Sequence, residues 1–128
     1  MTMELPVTEL VFFVVHDNHA DEFPAALARG AEYLRAAEGY RGHTLSRCIE
    51  QPNNFVLLVH WRSLADHTKR FRASLDYIQW REAITPFLVG APDVRHIVAG
   101  EEPSYDNLLR HPLMRPHGMA QVQAGKTG

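Results

Sequence analysis

Two short segments of this chain, residues 10–15 (LVFFVV) and 55–59 (FVLLV), are apolar at odd and even positions alike. Successive side chains of a strand point to opposite faces of its sheet, so a strand with one wet face alternates polar and apolar residues. Strands that do not alternate belong to a sheet covered on both sides. With 128 residues there is enough chain for one core of ordinary size and too little for two. Whatever covers the second face must therefore come largely from outside the chain.

The remaining pattern supplies the first cover. A strand over residues 9–16 is followed by a helix over residues 20–38, where Phe23, Leu27, Gly30, Leu34 and Ala37 recur at helical spacing and Gly39 follows the end. Pro24 is tolerated because it falls in the first turn, where its missing N–H has no intrahelical partner. A second strand over residues 43–50 holds Cys48 as a small buried residue, residues 51–54 (QPNN) form a turn, and residues 55–61 form a third strand. Ser63 with Asp66 three positions on has the form of a capping box. Ser74 repeats the N-cap chemistry, which predicts a helical region broken near Ser74 and resuming to about Leu88. Gly90, Pro92 and Asp93 introduce a last strand over residues 94–99. The order β-α-β-β-α-β is an α+β, ferredoxin-like arrangement with both helices on one face of an antiparallel sheet. A second copy packed sheet to sheet is the simplest cover for the other face, which predicts a homodimer. Residues 1–100 make the domain, and residues 101–128 a C-terminal extension with one short helical stretch at 105–110.

Several function classes are set aside. A formal net charge of −2 offers no electrostatic footprint for nucleic acid. No window approaches the roughly 20 apolar residues a membrane helix needs, and the first residues (MTMELPVTEL) lack the form of a secretory signal. The expectation is a cytoplasmic protein with no membrane partner. One cysteine excludes an internal disulfide, and no metal-ligand spacing, phosphate loop or dinucleotide turn is present, so neither a metal nor another cofactor is expected.

The run FVLLVHWRSLADH, followed by Phe71-Arg72-x-Ser74 and Tyr77-x-x-Trp80-Arg81, resembles the antibiotic biosynthesis monooxygenase domain of the dimeric α+β barrel superfamily. Residues 38–43 (EGYRGH) and the Pro52-Asn53-x-Phe55 turn resemble it as well. The resemblance spans about residues 10–99. It implies a dimer and an oxygenase that uses no flavin or metal: a phenolic substrate is deprotonated, and the electron-rich anion itself reduces O2. It also implies a pocket tryptophan at Trp61 and a pocket arginine at Arg81. The polyketide-oxidising members carry an asparagine earlier on the tryptophan's strand, where this chain has Leu57. Haem-degrading relatives would need an asparagine in the first strand and a histidine where Trp80 and Arg81 stand.

Chemistry of this kind needs a group that titrates near neutrality and a fixed positive charge beside an aromatic cavity. His67 is the candidate titratable group, on or beside a helical stripe of Leu64, Thr68, Phe71 and Leu75. The plainer reading is a histidine at the core edge. Arg81 is the candidate anion stabiliser, with a surface ion pair to Glu82 or another nearby acid as its alternative. Trp61 is either a catalytic-site or a purely structural tryptophan. Phe71, Tyr77, Phe55 and Leu57 are the candidate substrate contacts. His60 is expected on the dimer side, and the orientation of His96 is open. The reading is thus a cofactor-independent monooxygenase acting with O2 on a small aromatic or polyketide-like molecule; the alternative is a non-catalytic small-ligand-binding or stress-response module. Polar groups converging in the cavity favour the enzyme, and a wholly aliphatic lining favours the binder.

Overall fold

The doubly apolar strands sit at the centre of the sheet. A computed structural model describes residues 4–98 as four strands and two helices: β1 Val7–Val14, α1 Phe23–Arg35, β2 Tyr40–Arg47, β3 Asn54–Trp61, α2 Leu75–Ile84 and β4 Asp93–Val98. The sheet order is β2-β3-β1-β4, antiparallel throughout. β1 and β3 are therefore the inner strands, and both helices cover one face. This is the ferredoxin-like α+β fold. No helix among the described residues is long and apolar enough to cross a membrane.

Alternation assigns the faces. Val7, Val11, Phe13, Phe55, Leu57, Val59 and Trp61 are buried under the helices. Phe13, Phe23 and Phe55 pack with ring centroids 5.2 and 5.0 Å apart for successive pairs, a spacing at which tilted and edge-on rings attract. The even-numbered residues point the other way, where Leu10 lies opposite Leu58 and Phe12 opposite Val56. Phe12, Val14 and Ile97 are large apolar side chains left exposed there. His60 is on this face, hydrogen-bonded to Thr8 Oγ1 at 3.0 Å.

Two glycines set how closely the layers approach. A Cβ on Gly30 of α1 would lie 2.7 Å from Ala83 Cβ of α2, so the two helices meet there nearly backbone to backbone. Gly39, at φ +87°, turns the chain from α1 into β2. A Cβ on Gly39 would lie 2.2 Å from Asp66 Oδ2.

Several boundaries differ from the sequence reading. β1 begins two residues early and β2 three. β2 starts as soon as Gly39 has turned the chain, with Tyr40 opposite Trp61. Its hairpin closes through Cys48 N–H donating to Asn54 O at 2.9 Å, so Cys48 lies in the turn and is partly exposed rather than a buried strand residue. α2 stops at Ile84, and Pro86 begins a separate 3₁₀ turn over Thr85–Phe87. The break at Ser74 is where the sequence placed it: Ser74 Oγ accepts from Tyr77 N–H at 3.2 Å and caps α2. The expected 105–110 helix and the rest of the extension lie outside the described residues.

Gly39→Ala combines a left-handed backbone with a blocked side-chain position. It should destabilise the domain by about 2 kcal/mol or more, the range of strained or overpacked substitutions, read as a lower urea midpoint with an unchanged m-value.

Candidate functional site

Between the sheet and α2 lies a cavity of about 550 Å³, within the range of small-molecule sites. Val11, Leu57 and Val59 form its floor, and Phe71, Tyr77, Trp80 and Ile84 form its helical wall. Its acidic, basic and imidazole groups among the described residues are Glu9, His67, Arg72 and Arg81.

The segment over these groups is not α-helical. Residues Asp66–Phe71 form a π-helix, and the Arg72 N–H donates to the His67 carbonyl at 3.1 Å, five residues back. The wider turn brings positions i+4 and i+5 to the face of position i. His67, Phe71 and Arg72 accordingly all line the cavity. The predicted stripe is corrected for the same reason: Leu64 and Leu75 point outward, at 46% and 80% exposure, while His67 and Phe71 are buried.

Asp66 anchors this segment. Its carboxylate is fully buried, accepts from Arg62 Nε and Nη2 at 2.8 Å each, and pairs with Arg70. Its backbone N–H donates to Ser63 Oγ at 3.2 Å, completing the cap. The Arg62 hydrogen bonds hold the Asp66 carboxyl below its ordinary range against the opposing effect of burial.

On the sheet side of the cavity Glu9 occupies a position of β1 whose inward-facing neighbours are buried and apolar. Trp61 Nε1–H donates to Glu9 Oε1 at 2.9 Å. His67 Nε2 lies 3.3 Å from Glu9 Oε2, and His67 Nδ1 shares a hydrogen bond with His96 Nε2 at 2.8 Å. Burial pushes the Glu9 carboxyl up to about 6, opposed by the Trp61 hydrogen bond and the nearby Arg72 charge. Burial, with Arg72 and His96 adding to it, pushes His67 down to about 3. The contact between them thus involves a neutral histidine and is not an ion pair at neutral pH. When Glu9 is ionised, His67 presents Nε2–H to it and accepts at Nδ1 from His96. His67 uses opposite ring nitrogens on its two partners, so the three side chains do not converge on one point. No metal-holding group of three or more such residues occurs among the described residues.

His67, Arg81, Phe71, Tyr77 and Leu57 all line the one cavity. Of the Glu9–His67 pair it is Glu9 that burial brings toward neutrality, to about 6, whereas burial takes His67 well below the range first expected of it. Trp61 faces the cavity side but is covered: His67 stacks on it at 5.1 Å and 20°, leaving it 0% exposed, so it acts on the cavity through the lining residues it touches, Glu9, His67 and Phe71. Phe55 is also outside this cavity. It sits six residues from Trp61 along β3, about 20 Å at the usual rise of a strand, in the aromatic core beside a second, shallower hollow. Arg81 lies over the Tyr77 ring at 5.8 Å rather than in an ion pair with Glu82. Glu9, Arg72 and His96 were missed as site residues. Only Glu9 left a signal, as a carboxylate in the phase of Val7, Val11 and Phe13.

The Glu9 shift has a consequence for stability. Its pKa in the folded protein lies above the unfolded value, so its contribution is fully present below about 4.5 and is lost as pH rises through about 6. A shift of this size corresponds to about 2 kcal/mol. Between pH 4.5 and 6.5, Glu9→Gln should gain on the wild type by about that amount, read from urea unfolding at each pH. Parallel curves for the two proteins would contradict the buried carboxylate.

The fold has known counterparts. The chain matches the antibiotic biosynthesis monooxygenase family over residues 6–83. It is 33% identical over 90 residues to the uncharacterised protein YczJ of Bacillus subtilis, covering 70% of this chain and 95% of that one. Among solved structures it is similar to a Bordetella bronchiseptica protein described as an antibiotic biosynthesis monooxygenase, at 27% identity and TM-score 0.73, covering 76% of this chain and 99% of that one. It shares its fold with SnoaB, a cofactor-independent oxygenase from Streptomyces nogalater, at 20% identity and TM-score 0.61, covering 80% and 98% of the two chains. The match spans more than half of the sequence and runs from the start of the sheet through α2, and the chain belongs to the antibiotic biosynthesis monooxygenase family.

Proposed function

We propose that this protein is a cofactor-independent monooxygenase that oxidises a small aromatic or polyketide-like phenol with O2. The observation that carries this reading is the convergence of Glu9, His67 and Arg72 at one end of an otherwise apolar, aromatic-walled cavity. A cavity meant only to hold an apolar molecule gains nothing from a buried carboxylate, which costs free energy to place there. Membership of a family that includes oxygenase chemistry supports the same reading.

In this proposal Glu9, ionised above about pH 6, accepts the phenolic proton, and His67 keeps the carboxylate in place. The phenolate passes one electron to O2, and the resulting radical pair joins at a ring carbon. The peroxide then loses water. For a phenol with a free para position the balance is phenol plus O2 to quinone plus water, with no outside reductant. Arg72 and Arg81 stabilise the negative charge while it resides on the ring or on oxygen. Trp61 is a positioning residue that orients Glu9.

Glu9→Gln and His67→Gln should each slow O2 uptake with a reactive dihydroxynaphthalene by about 10²- to 10⁴-fold, the usual worth of general-base assistance, while Trp61→Phe should act mainly through a raised pH optimum. An oxygen electrode and a panel of phenols test this. Tight binding without O2 uptake across the panel would favour the non-catalytic ligand-binding module instead.

The assembly belongs to the same proposal. The face bearing Leu10, Phe12, Val56 and Leu58 packs against a second copy, giving a homodimer whose sheets lie back to back. Light scattering should report a dimer. Leu58→Asp should give a monomer, because an unpaired carboxylate in such an interface costs several kcal/mol. A folded wild-type monomer at micromolar concentration would refute the proposed assembly.

A further inference from the structure

Arg72 and Arg81 stand where the cavity meets solvent. Both line it, and both residues are exposed. Among the described residues neither is paired with a carboxylate. The contrast lies within a few residues of the chain, since Arg62 and Arg70 are both committed to Asp66. The Arg72 guanidinium is close enough to act on Glu9, His67 and His96 together. Arg81 is held over the Tyr77 ring, and Tyr77 in turn meets Phe71 edge-on at 5.5 Å. Glu9 is the single acid among the described lining residues, so their charge is positive even with Glu9 ionised. A planar guanidinium is suited to a carboxylate, which it grips through two parallel N–H donors.

We propose that the cavity takes an acidic aromatic ligand: a hydroxylated ring system bearing a carboxylate, with the ring against Phe71, Tyr77 and Trp80, the hydroxyl toward Glu9, and the carboxylate on Arg72 and Arg81. This rests on the reading of the cavity as the substrate site and narrows the substrate from phenols in general to phenolic acids. The two arginines provide what the apolar walls lack, a way to fix which end of a flat ligand enters first. An acid group bound at the mouth directs the hydroxyl to the base and leaves the ring edge facing the enclosed part of the cavity. A neutral phenol of the same shape has no such preference.

The test is a binding measurement on the full chain, independent of turnover. Calorimetric titration at pH 7 compares 3-hydroxy-2-naphthoate with its methyl ester, which keeps the ring and hydroxyl and removes the charge. The acid should bind about tenfold or more tightly than the ester, the usual worth of a charge-assisted pair of hydrogen bonds. Arg72→Gln and Arg81→Gln should each remove most of that preference, read as the ratio of acid to ester affinity in the same variant. Equal binding of acid and ester by the wild type, or a preference that survives in both variants, would overturn the proposal. The outcome is separable from the oxygenase reading. Esters that bind and consume O2 as well as acids would sink the acid preference alone, whereas acids that bind selectively without O2 uptake would sink the oxygenase alone.

Discussion

The placement of His67 and Arg72 in the cavity depends on how Asp66 is held. This carboxylate is fully buried at the start of the π-helical segment, where Arg62 and Arg70 converge on it and Gly39 leaves room for it. A buried charge without partners would be strongly destabilising, so the two arginines and the carboxylate form or fail together. While they hold, the segment leaves β3 in one direction only. His67, the next residue, is thereby placed on Trp61 and against Glu9.

The π-turn extends the effect of that anchor. An α-helix would present His67 and Phe71 to the sheet and carry Arg72 away. The wider turn keeps all three on one side, so a titratable group, an aromatic wall and a fixed positive charge come from six consecutive residues. Such turns cost some hydrogen-bond geometry and recur at functional sites. Here the cost is offset by packing on both sides: Trp61 stacks beneath His67, and Phe71 meets Tyr77 of α2.

Glu9 places a titratable group in the same sheet face that supplies the apolar core. Burial raises its pKa and so weakens the fold at neutral pH, yet burial is also what brings a carboxyl to the point of titrating near neutrality. The indole of Trp61 and the guanidinium of Arg72 limit the cost without removing it. On the tryptophan's own strand the cavity position is taken by Leu57, and the polar group reaches the cavity from the neighbouring strand.

By itself the sequence determined the element order, the break at Ser74 and the family, because each is written in local periodicity, capping chemistry or a continuous run of residues. Residues 10–15 and 55–59, apolar at odd and even positions alike, marked two strands with two apolar faces, and only the packing decided which of those faces the helices take. His67, Arg81, Phe71, Tyr77 and Leu57 were legible as cavity residues because they lie near one another on two consecutive elements. Only the tertiary structure decided that Trp61 is sealed behind His67, that Phe55 belongs to the core, and that Glu9, Arg72 and His96 join the site. Those residues come together through strand pairing between β1, β3 and β4 and through a π-turn with no sequence signature of its own. The pKa values that select Glu9 over His67 depend on burial, a property of the packed molecule that no residue carries alone.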